Sequence, residues 1–338
     1  MNTVMERAKE ERVAVTRSSL APPPAAVEQS SMLPYYGYRV AEAIVSAVPR
    51  PVANVLASTC ADAVRIVRPR TLDGLRANLR RVMPDADQRT LRTAVRRNVR
   101  NLARCWVDVM ELSHRPEKVR GSLSTRDLAH YTTAVDRGRG VVVVSLHLGA
   151  WERGLAAWNA GRGELALLAE SLKPVQLFDR VADARRALGV HIVPLDAEAM
   201  RSGDAATKRR LGAHAMREVM RRLRSGGTIA IAIDRDITGT GVAMPFFGAA
   251  ASIPTGVVDV AIRSGAAIVP IVLPRTRRST RAICFPEVAY DSRAPREQEV
   301  ARVAAEILRI FETVIRAVPE QWHVLDPIWK DSAAGVGR

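Results

Sequence analysis

The sequence predicts an α/β fold: a central, mostly parallel sheet flanked by helices on both faces, preceded by a helical N-terminal region. Two observations lead to this prediction. From about residue 124 onwards, short aliphatic runs alternate with segments of helical periodicity, which is typical of strands buried on both faces of a parallel sheet. Before that point, apolar residues recur at helical spacing.

The helical N-terminal region contains two pairs of predicted helices. Residues 32–68 form two apolar helical patterns separated by Pro49 and Pro51, and residues 73–112 form two arginine-rich ones interrupted at Pro84. The apolar faces of the first pair belong either to the protein core or to a membrane surface. The arginine-rich faces are either solvated helix faces or a surface for anionic headgroups.

The remainder of the chain supplies the predicted strands and the helices between them. The aliphatic runs that predict strands lie at 141–147, 165–171, 190–196, 228–234, 266–274 and 282–290. The helical patterns between and after these strands lie at 174–188, 205–224, 254–265 and 294–317.

These patterns predict one domain over residues 31–330, with a helical part at 31–120 and an α/β catalytic part at 121–330. Residues 1–30 are charged and then rich in Pro, Ala and Ser, without the apolar centre of a signal peptide, so we expect a disordered tail there. Residues 331–338 are expected to be a loose tail.

Charge and cysteine content restrict the classes of partner and site. The net charge of +16 favours anionic partners such as nucleic acid, an anionic membrane surface or a phosphorylated substrate. No aromatic residues lie among the clustered arginines to stack on bases, so nucleic acid is not expected. Three dispersed cysteines argue against a zinc site and a disulfide framework. No window is apolar enough for a transmembrane helix, which leaves peripheral membrane contact.

His147 stands at the end of the valine run 141–147, and sites in open α/β sheets gather at the carboxyl ends of strands. Glu152 follows five residues later, and a carboxylate beside an imidazole fixes its tautomer and raises its basicity. His147 is therefore either a packed core histidine or a general base.

Two further groups of charged residues follow predicted strands. Asp234 and Asp236 flank Arg235 at the end of 228–234, where they either orient a histidine or, less well supported without a third carboxylate, bind a metal. Glu170 lies near the end of the predicted strand 165–171, and Lys173 follows that strand. The two residues form either an exposed salt bridge or part of a site. The sequence contains none of the GxSxG, P-loop or GxGxxG motifs.

Four motifs in order resemble a known family. HLGAWE fits the HX4(D/E) motif of glycerolipid and lysophospholipid acyltransferases, and IDRD, PFFG and PEQWHVLDPIW follow it. Over about residues 35–330 the chain resembles the bacterial branch that contains lipid A lauroyl/myristoyl acyltransferases and phosphatidylinositol mannoside acyltransferases. Glu170 and the DRD motif make it more similar to the mannoside enzymes.

The resemblance implies O-acyl transfer from acyl-CoA or acyl-carrier protein to a hydroxyl of a glycolipid, with His147 as general base. Glu152 or Asp234 would orient His147. An apolar channel for the acyl chain is expected from residues within 148–160 and 244–262. The residues expected to bind substrate are Glu170, Lys173, Arg235 and Asp236.

The resemblance also implies the partners and the location. We expect a phosphatidylinositol mannoside-type acceptor, with lipid A-type lauroyl/myristoyl transfer or another lysophospholipid acyltransferase activity as the alternative. No metal or cofactor is expected beyond the acyl donor. The enzyme is expected to lie peripherally on an anionic membrane surface at the cytoplasmic face of the cell membrane.

Overall fold

The computed structural model describes residues 31–117, 123–158, 165–276 and 279–329. Within these ranges the chain is a mixed α/β structure with a seven-stranded, mostly parallel sheet, as the sequence predicts. The tails predicted at 1–30 and 331–338 lie outside the described residues, and the boundaries of the single domain stay a prediction.

The N-terminal helices begin and end close to where the prolines predict. They are α1 (Leu33–Ala47), α2 (Arg50–Val67), α3 (Asp73–Val82) and α4 (Gln88–His114). Pro49 separates α1 from α2, and Pro84 lies in the turn between α3 and α4. Asp87 caps α4 by accepting a hydrogen bond from the Thr90 N–H at 2.7 Å. The predicted division into four helices is therefore confirmed.

The strands follow the aliphatic runs, with three additions. In chain order they are β1 (Leu123–Arg126), β2 (Val141–Ser145), β3 (Leu165–Glu170), β4 (Val190–Leu195), β5 (Thr228–Ala232), β6 (Val242–Phe246), β7 (Ala249–Ile253), β8 (Ala267–Val272) and β9 (Thr280–Cys284). The sheet order is β1-β9-β8-β2-β5-β3-β4, and β6 and β7 form a separate hairpin. Strands β8, β2, β5, β3 and β4 are parallel, whereas β9 is antiparallel to β8.

Helices cover both faces of this sheet. They are α5 (Ala129–Asp136), α6 (Trp151–Trp158), α7 (Val175–Arg186), α8 (Ala197–Ser202), α9 (Ala205–Arg224), α10 (Gly256–Ser264) and α11 (Arg296–Ala317). Val142 and Val144 of β2 pack in one core cluster with α9, α10 and α11, whereas Val141 and Val143 pack in another with α5. The alternation of a strand explains this division, because successive side chains point to opposite faces.

Two strand ends differ from the prediction in a way that matters for the site. Strand β2 ends at Ser145 and β5 at Ala232, so His147 and Asp234 lie in the loops just beyond the sheet rather than within the strands. Strand β1 was not predicted, because its four residues are too few and too polar to form an aliphatic run. It pairs in parallel with β9 at the edge of the sheet.

The helical N-terminal region holds the C-terminal segment in place. The side-chain amide of Asn78 on α3 donates to the carbonyl oxygens of Val324 at 3.0 Å and Asp326 at 2.8 Å. The amide of Asn98 on α4 donates to the carbonyl of Trp322 at 2.6 Å. Both asparagines are fully buried, so this segment is fixed against the helices at a defined position.

Candidate active site

The histidine at the end of the valine strand is paired with a buried aspartate. His147 follows β2 and Asp234 follows β5, its neighbour in the sheet, so both lie at the carboxyl edge. Nδ1 of His147 lies 2.8 Å from Oδ1 of Asp234, and the backbone N–H of His147 donates to Oδ2 at 3.0 Å. The sheet thus joins two residues that are distant in sequence.

Asp234 is fully buried and accepts a further hydrogen bond from Nε1 of Trp322 at 2.8 Å. Burial alone would raise the pKa of Asp234, but the electrostatic interaction with the His147 ring and the hydrogen bonds from His147 and Trp322 hold that pKa below its ordinary value. Because an ionised carboxylate only accepts hydrogen bonds, the proton lies on Nδ1 of His147. Nε2 of His147 then carries the lone pair.

Aromatic and imidazole rings surround His147. The His147 ring meets Trp151 edge-on, with centroids 5.9 Å apart, and Trp151 lies 6.0 Å from the ring of His323. The backbone N–H of His323 donates to the carbonyl of His147 at 2.7 Å. Burial and the charge of Arg275 lower the pKa of His323 to about 3, so this second imidazole stays neutral at physiological pH.

Glu152, the other predicted partner of His147, contacts different residues. Arg185 on α7 forms an ion pair with the buried Glu152, and its Nε donates to Oε2 at 3.2 Å. Nε1 of Trp151 donates to Oε1 of Glu152 at 3.0 Å. The carboxylate of Glu152 therefore fixes Trp151, whose ring lies against His147, while Asp234 occupies the position beside the imidazole.

We expect Arg185→Ala to lower the free energy of unfolding by about 3 kcal/mol, because it leaves the charge of Glu152 buried without its cation. The matched control is Arg186→Ala, since Arg186 is the next residue on α7 and pairs with the exposed Asp183. That control should change stability by less than about 1 kcal/mol. Equal losses in urea unfolding of the two variants would contradict the structural role of the Glu152 pair.

Glu170 and Arg235 meet at the same edge of the sheet. One terminal nitrogen of the Arg235 guanidinium, Nη2, donates to Oε2 of Glu170. The other, Nη1, donates to Oδ2 of Asp326 at 3.2 Å. Arg235 and Glu170 are each partly exposed, and both line the cavity beside His147. The structure therefore brings these two predicted residues to the candidate site.

Lys173 and Asp236 point to other partners. Lys173 forms an ion pair with Glu198, the second residue of α8. Asp236 holds its own loop, because it accepts hydrogen bonds from the backbone N–H groups of Thr238, Gly239 and Gly241 and from the hydroxyls of Thr238 and Ser252. Their predicted contact with substrate stays a prediction.

A cavity of about 640 Å³ opens beside the His147–Asp234 pair. This volume falls in the range of roughly 300–1,000 Å³ that small-molecule sites occupy. His147, Glu170 and Arg235 are among its polar lining residues. Most of the remaining lining is aliphatic, from β3, β5, α4 and α7 among others, and includes Leu102, Val109, Leu167, Val181, Leu195 and Ile231.

The predicted channel segments contribute unequally to this cavity. Trp151, Gly154 and Leu155 of the segment 148–160 line it, although residues 159 and 160 lie outside the described ranges. Of the segment 244–262, Pro254 is among the described lining residues, so the contribution of this segment is small and its role in the acyl channel stays a prediction. The hairpin residues pack in the core instead, where Phe246 contacts Trp322 and Trp329.

A buried charge network that the sequence does not reveal lies behind the cavity. Asp108 on α4 is fully buried and forms ion pairs with Arg50, Arg153 and Arg275, and Arg50 also pairs with Glu111. The opposing effects of burial and of these arginines leave the pKa of Asp108 below its ordinary value. This network joins α2 and α4 to α6, the helix that follows His147.

The described residues contain neither a metal-binding cluster nor a membrane-spanning helix. No three His, Cys, Asp or Glu side chains in the described ranges are grouped so that they could hold a metal ion. Among the helices of those ranges, none has the length and apolar character needed to span a bilayer. The three cysteines are free thiols, with Cys105 and Cys284 buried and Cys60 exposed.

Comparison with known proteins gives a consistent result. The model of the bacterial lipid A biosynthesis acyltransferase family matches residues 28–331. The phosphatidylinositol mannoside acyltransferase of Mycolicibacterium smegmatis is 28% identical over 299 residues, covering 87% of this chain and 90% of the relative. The enzyme of the same name from Mycobacterium tuberculosis is 30% identical over 263 residues, covering 75% and 76% of the two chains.

The family match covers all of the described residues, and the fold and the motifs agree with it. The protein is therefore an acyltransferase, and the chain belongs to the bacterial lipid A biosynthesis acyltransferase family.

Proposed function

We propose that this protein is a peripheral membrane O-acyltransferase that moves a fatty acyl group from acyl-CoA or acyl-carrier protein to a hydroxyl of a phosphatidylinositol mannoside-type glycolipid. The observation that carries the proposal is the His147–Asp234 pair beside a largely aliphatic cavity. The names of the relatives support the class of acceptor. The reaction as proposed needs no metal or cofactor.

His147 has the geometry of a general base. With its Nδ1 proton held by Asp234, Nε2 takes the proton of the acceptor hydroxyl, whose oxygen attacks the thioester carbonyl carbon. The imidazolium then returns this proton to the departing thiolate, so that an ester and a free thiol are the products. Asp234 stabilises the imidazolium while it exists, because its ionised carboxylate lies 2.8 Å from the ring.

The cavity accounts for the two kinds of substrate chemistry that this reaction combines. Its aliphatic walls provide a favourable environment for the acyl chain, because transfer of each methylene from water contributes about 0.8 kcal/mol. The polar residues Glu170 and Arg235 lie at the same cavity and supply hydrogen-bonding groups for a sugar acceptor. Arg235 already shares its charge with Glu170 and Asp326, so it serves here as a binding group.

The product distinguishes the proposed acceptor from its alternatives. The full chain is incubated with acyl-CoA or acyl-carrier protein and with vesicles containing phosphatidylinositol mannoside, and mass spectrometry should show that the glycolipid gains one acyl chain. The description of the family favours a lipid A precursor as the alternative acceptor. Acylation of that precursor alone would reject the mannoside, and fatty acid release that does not depend on acceptor would indicate a hydrolase instead.

Exposed apolar stripes on α1 and α2 support the proposed membrane association. Both helices pack against α4 on one side. Their outer faces expose aliphatic and aromatic side chains at helical spacing. These are Leu33, Tyr36, Val40 and Ile44 on α1, and Val52, Val55, Leu56, Val64, Ile66 and Val67 on α2. Contiguous exposed apolar surface of this kind marks an interaction site, and with the +16 charge it fits an anionic bilayer at the cytoplasmic face.

We expect Val55→Glu with Ile66→Glu to weaken binding to vesicles at least tenfold, since two carboxylates then oppose insertion of the α2 stripe. Flotation with liposomes of phosphatidylcholine and phosphatidylinositol measures the bound fraction. The matched control is Val242→Glu with Ala243→Glu, because both residues are exposed on the β6–β7 hairpin rather than on α1 or α2. Equal binding of the two double variants would argue against docking through these helices.

A further inference from the structure

A second cleft, separate in its lining from the cavity at His147, lies between α3 and α4. It has a volume of about 850 Å³. On α3 its lining residues are spaced three or four apart, and the same holds on α4, so each helix turns one face towards the cleft. The end of α2 contributes Arg65, and Phe247 from the hairpin turn also lines it. We call this the arginine cleft.

The lining of the arginine cleft carries unbalanced positive charge. It includes five arginines and one carboxylate among the described residues: Arg65, Arg76, Arg80, Arg81, Arg92 and Asp73. Asp73 is paired with Arg76. Within the part of the chain that the structure describes, Arg80, Arg81 and Arg92 have no carboxylate within ion-pair distance. The remaining charge is of a kind that attracts phosphate.

Two arginines farther along α4 share a carboxylate from α2. Arg96 and Arg100 both form ion pairs with Asp62 on α2, at 3.1 Å for Arg96. Within the cleft the one carboxylate among the described lining residues, Asp73, is paired with Arg76, so it leaves the charge of Arg80, Arg81 and Arg92 unbalanced.

Arg81 is held in position before any ligand arrives. Its guanidinium lies over the ring of the buried Trp329, 5.2 Å from the centroid. Its Nε–H is buried and has no acceptor in the described residues. A fixed arginine loses less conformational freedom on binding than a mobile one, which favours binding of an anion here.

The arginine cleft adjoins the apolar stripe of α2. Arg65 lines the cleft, and its neighbours Val64, Ile66 and Val67 are more than half exposed. In an anionic phospholipid the acyl chains lie next to a phosphate group. Exposed apolar side chains next to unpaired arginines are complementary to this arrangement. An acidic protein partner would need no such exposed aliphatic border.

We propose that the arginine cleft binds the phosphate of an anionic phospholipid headgroup, with Arg80, Arg81 and Arg92 as its ligands. This inference rests on the proposed membrane association and adds a defined headgroup site to it. The cleft would then orient the enzyme on the bilayer, because the site lies at one end of the α2 stripe rather than along its length.

The test compares two double variants of the full chain in binding to vesicles. Arg80→Gln with Arg92→Gln removes two charges from the cleft. Arg89→Gln with Arg97→Gln removes two charges from exposed positions of α4 that do not line it. On vesicles of phosphatidylcholine and phosphatidylinositol, we expect at least tenfold weaker binding for the cleft variant and less than threefold for the control. On pure phosphatidylcholine, both variants should bind like the unchanged protein.

Each other outcome overturns the headgroup site in a recognisable way. Equal losses for the two double variants would indicate diffuse attraction to the surface. If the unchanged protein binds both kinds of vesicle equally, the headgroup site is absent although membrane association holds, whereas binding to neither rejects the membrane association itself. Normal vesicle binding of the cleft variant, with loss of transfer from acyl-carrier protein alone, would assign the cleft to an acidic protein.

Discussion

Replacing His147 with alanine is expected to lower the rate of acyl transfer by at least about 100-fold, because general base catalysis contributes roughly 10²–10⁴. The substitution removes the Nε2 lone pair beside the cavity and leaves Asp234 without its main partner. Initial rates with a saturating acyl donor and glycolipid acceptor give the comparison. Since His147 is at the end of β2 and its side chain is partly exposed, the fold should tolerate the change.

The matched control for His147 is His130→Ala. His130 is exposed on α5, away from the cavity lining, and should retain full activity. Thermal unfolding of both variants identifies any loss that results from misfolding. Full transfer by the His147 variant, with either acyl donor, would reject the proposed general base.

Asp234→Asn is the second substitution with a large expected effect. We expect the rate of acyl transfer to fall by a factor on the order of 10³–10⁴, which is comparable to the effect of an Asp→Asn substitution in a Ser-His-Asp triad. The carboxylate accepts from Nδ1 and the backbone N–H of His147 and from Nε1 of Trp322. An asparagine amide presents its NH₂ group to at least one of these donors, so a buried hydrogen bond is lost and the histidine tautomer is no longer fixed.

Stability against pH provides an independent measurement on the same residue. Because the pKa of Asp234 is lower in the folded protein than in the unfolded chain, its charge contributes stability that is present above the unfolded value. This contribution is lost as the pH falls through the folded pKa. Urea unfolding should therefore show a weaker acid dependence for Asp234→Asn than for the unchanged protein, with the exposed Asp183→Asn as control.

Kinetics of the double variant distinguish a shared role from two separate ones. If Asp234 acts only through His147, the rate of acyl transfer by the double variant should lie within a few-fold of the rate of His147→Ala alone. Multiplicative losses would mean that Asp234 contributes to transfer by another route and would contradict the pairing as the basis of its role.

The sequence was informative wherever local pattern determines structure. Aliphatic runs at strand length located β2 and β5 because these strands are buried on both faces and exclude polar residues. Prolines located the breaks between the N-terminal helices. The same strand ends placed His147 and Asp234 at one edge of the sheet, although the sequence could not show that β2 and β5 are neighbours.

The partners of the site residues could not be read from the sequence, because they depend on long-range packing. Trp322 reaches Asp234 from a segment that Asn78 and Asn98 hold against the helices and that also forms backbone hydrogen bonds with His147 and Gly149. Glu152 lies five residues from His147, yet its cation, Arg185, comes from α7. The cavity wall likewise combines strands and helices from both parts of the chain, so motif spacing could not define it.

The bond from Trp322 to Asp234 also bears on how the protein is made. His147 and Asp234 are 87 residues apart in the chain, and Asp234 and Trp322 are a further 88 apart. During synthesis the ribosome therefore releases the base first, its carboxylate later, and the indole that completes the carboxylate's hydrogen bonds last. A nascent chain that stops before Trp322 has both His147 and Asp234 but lacks the indole N–H that donates to Oδ2 of Asp234, so the hydrogen bonds of this carboxylate are completed only after residue 322 has been added.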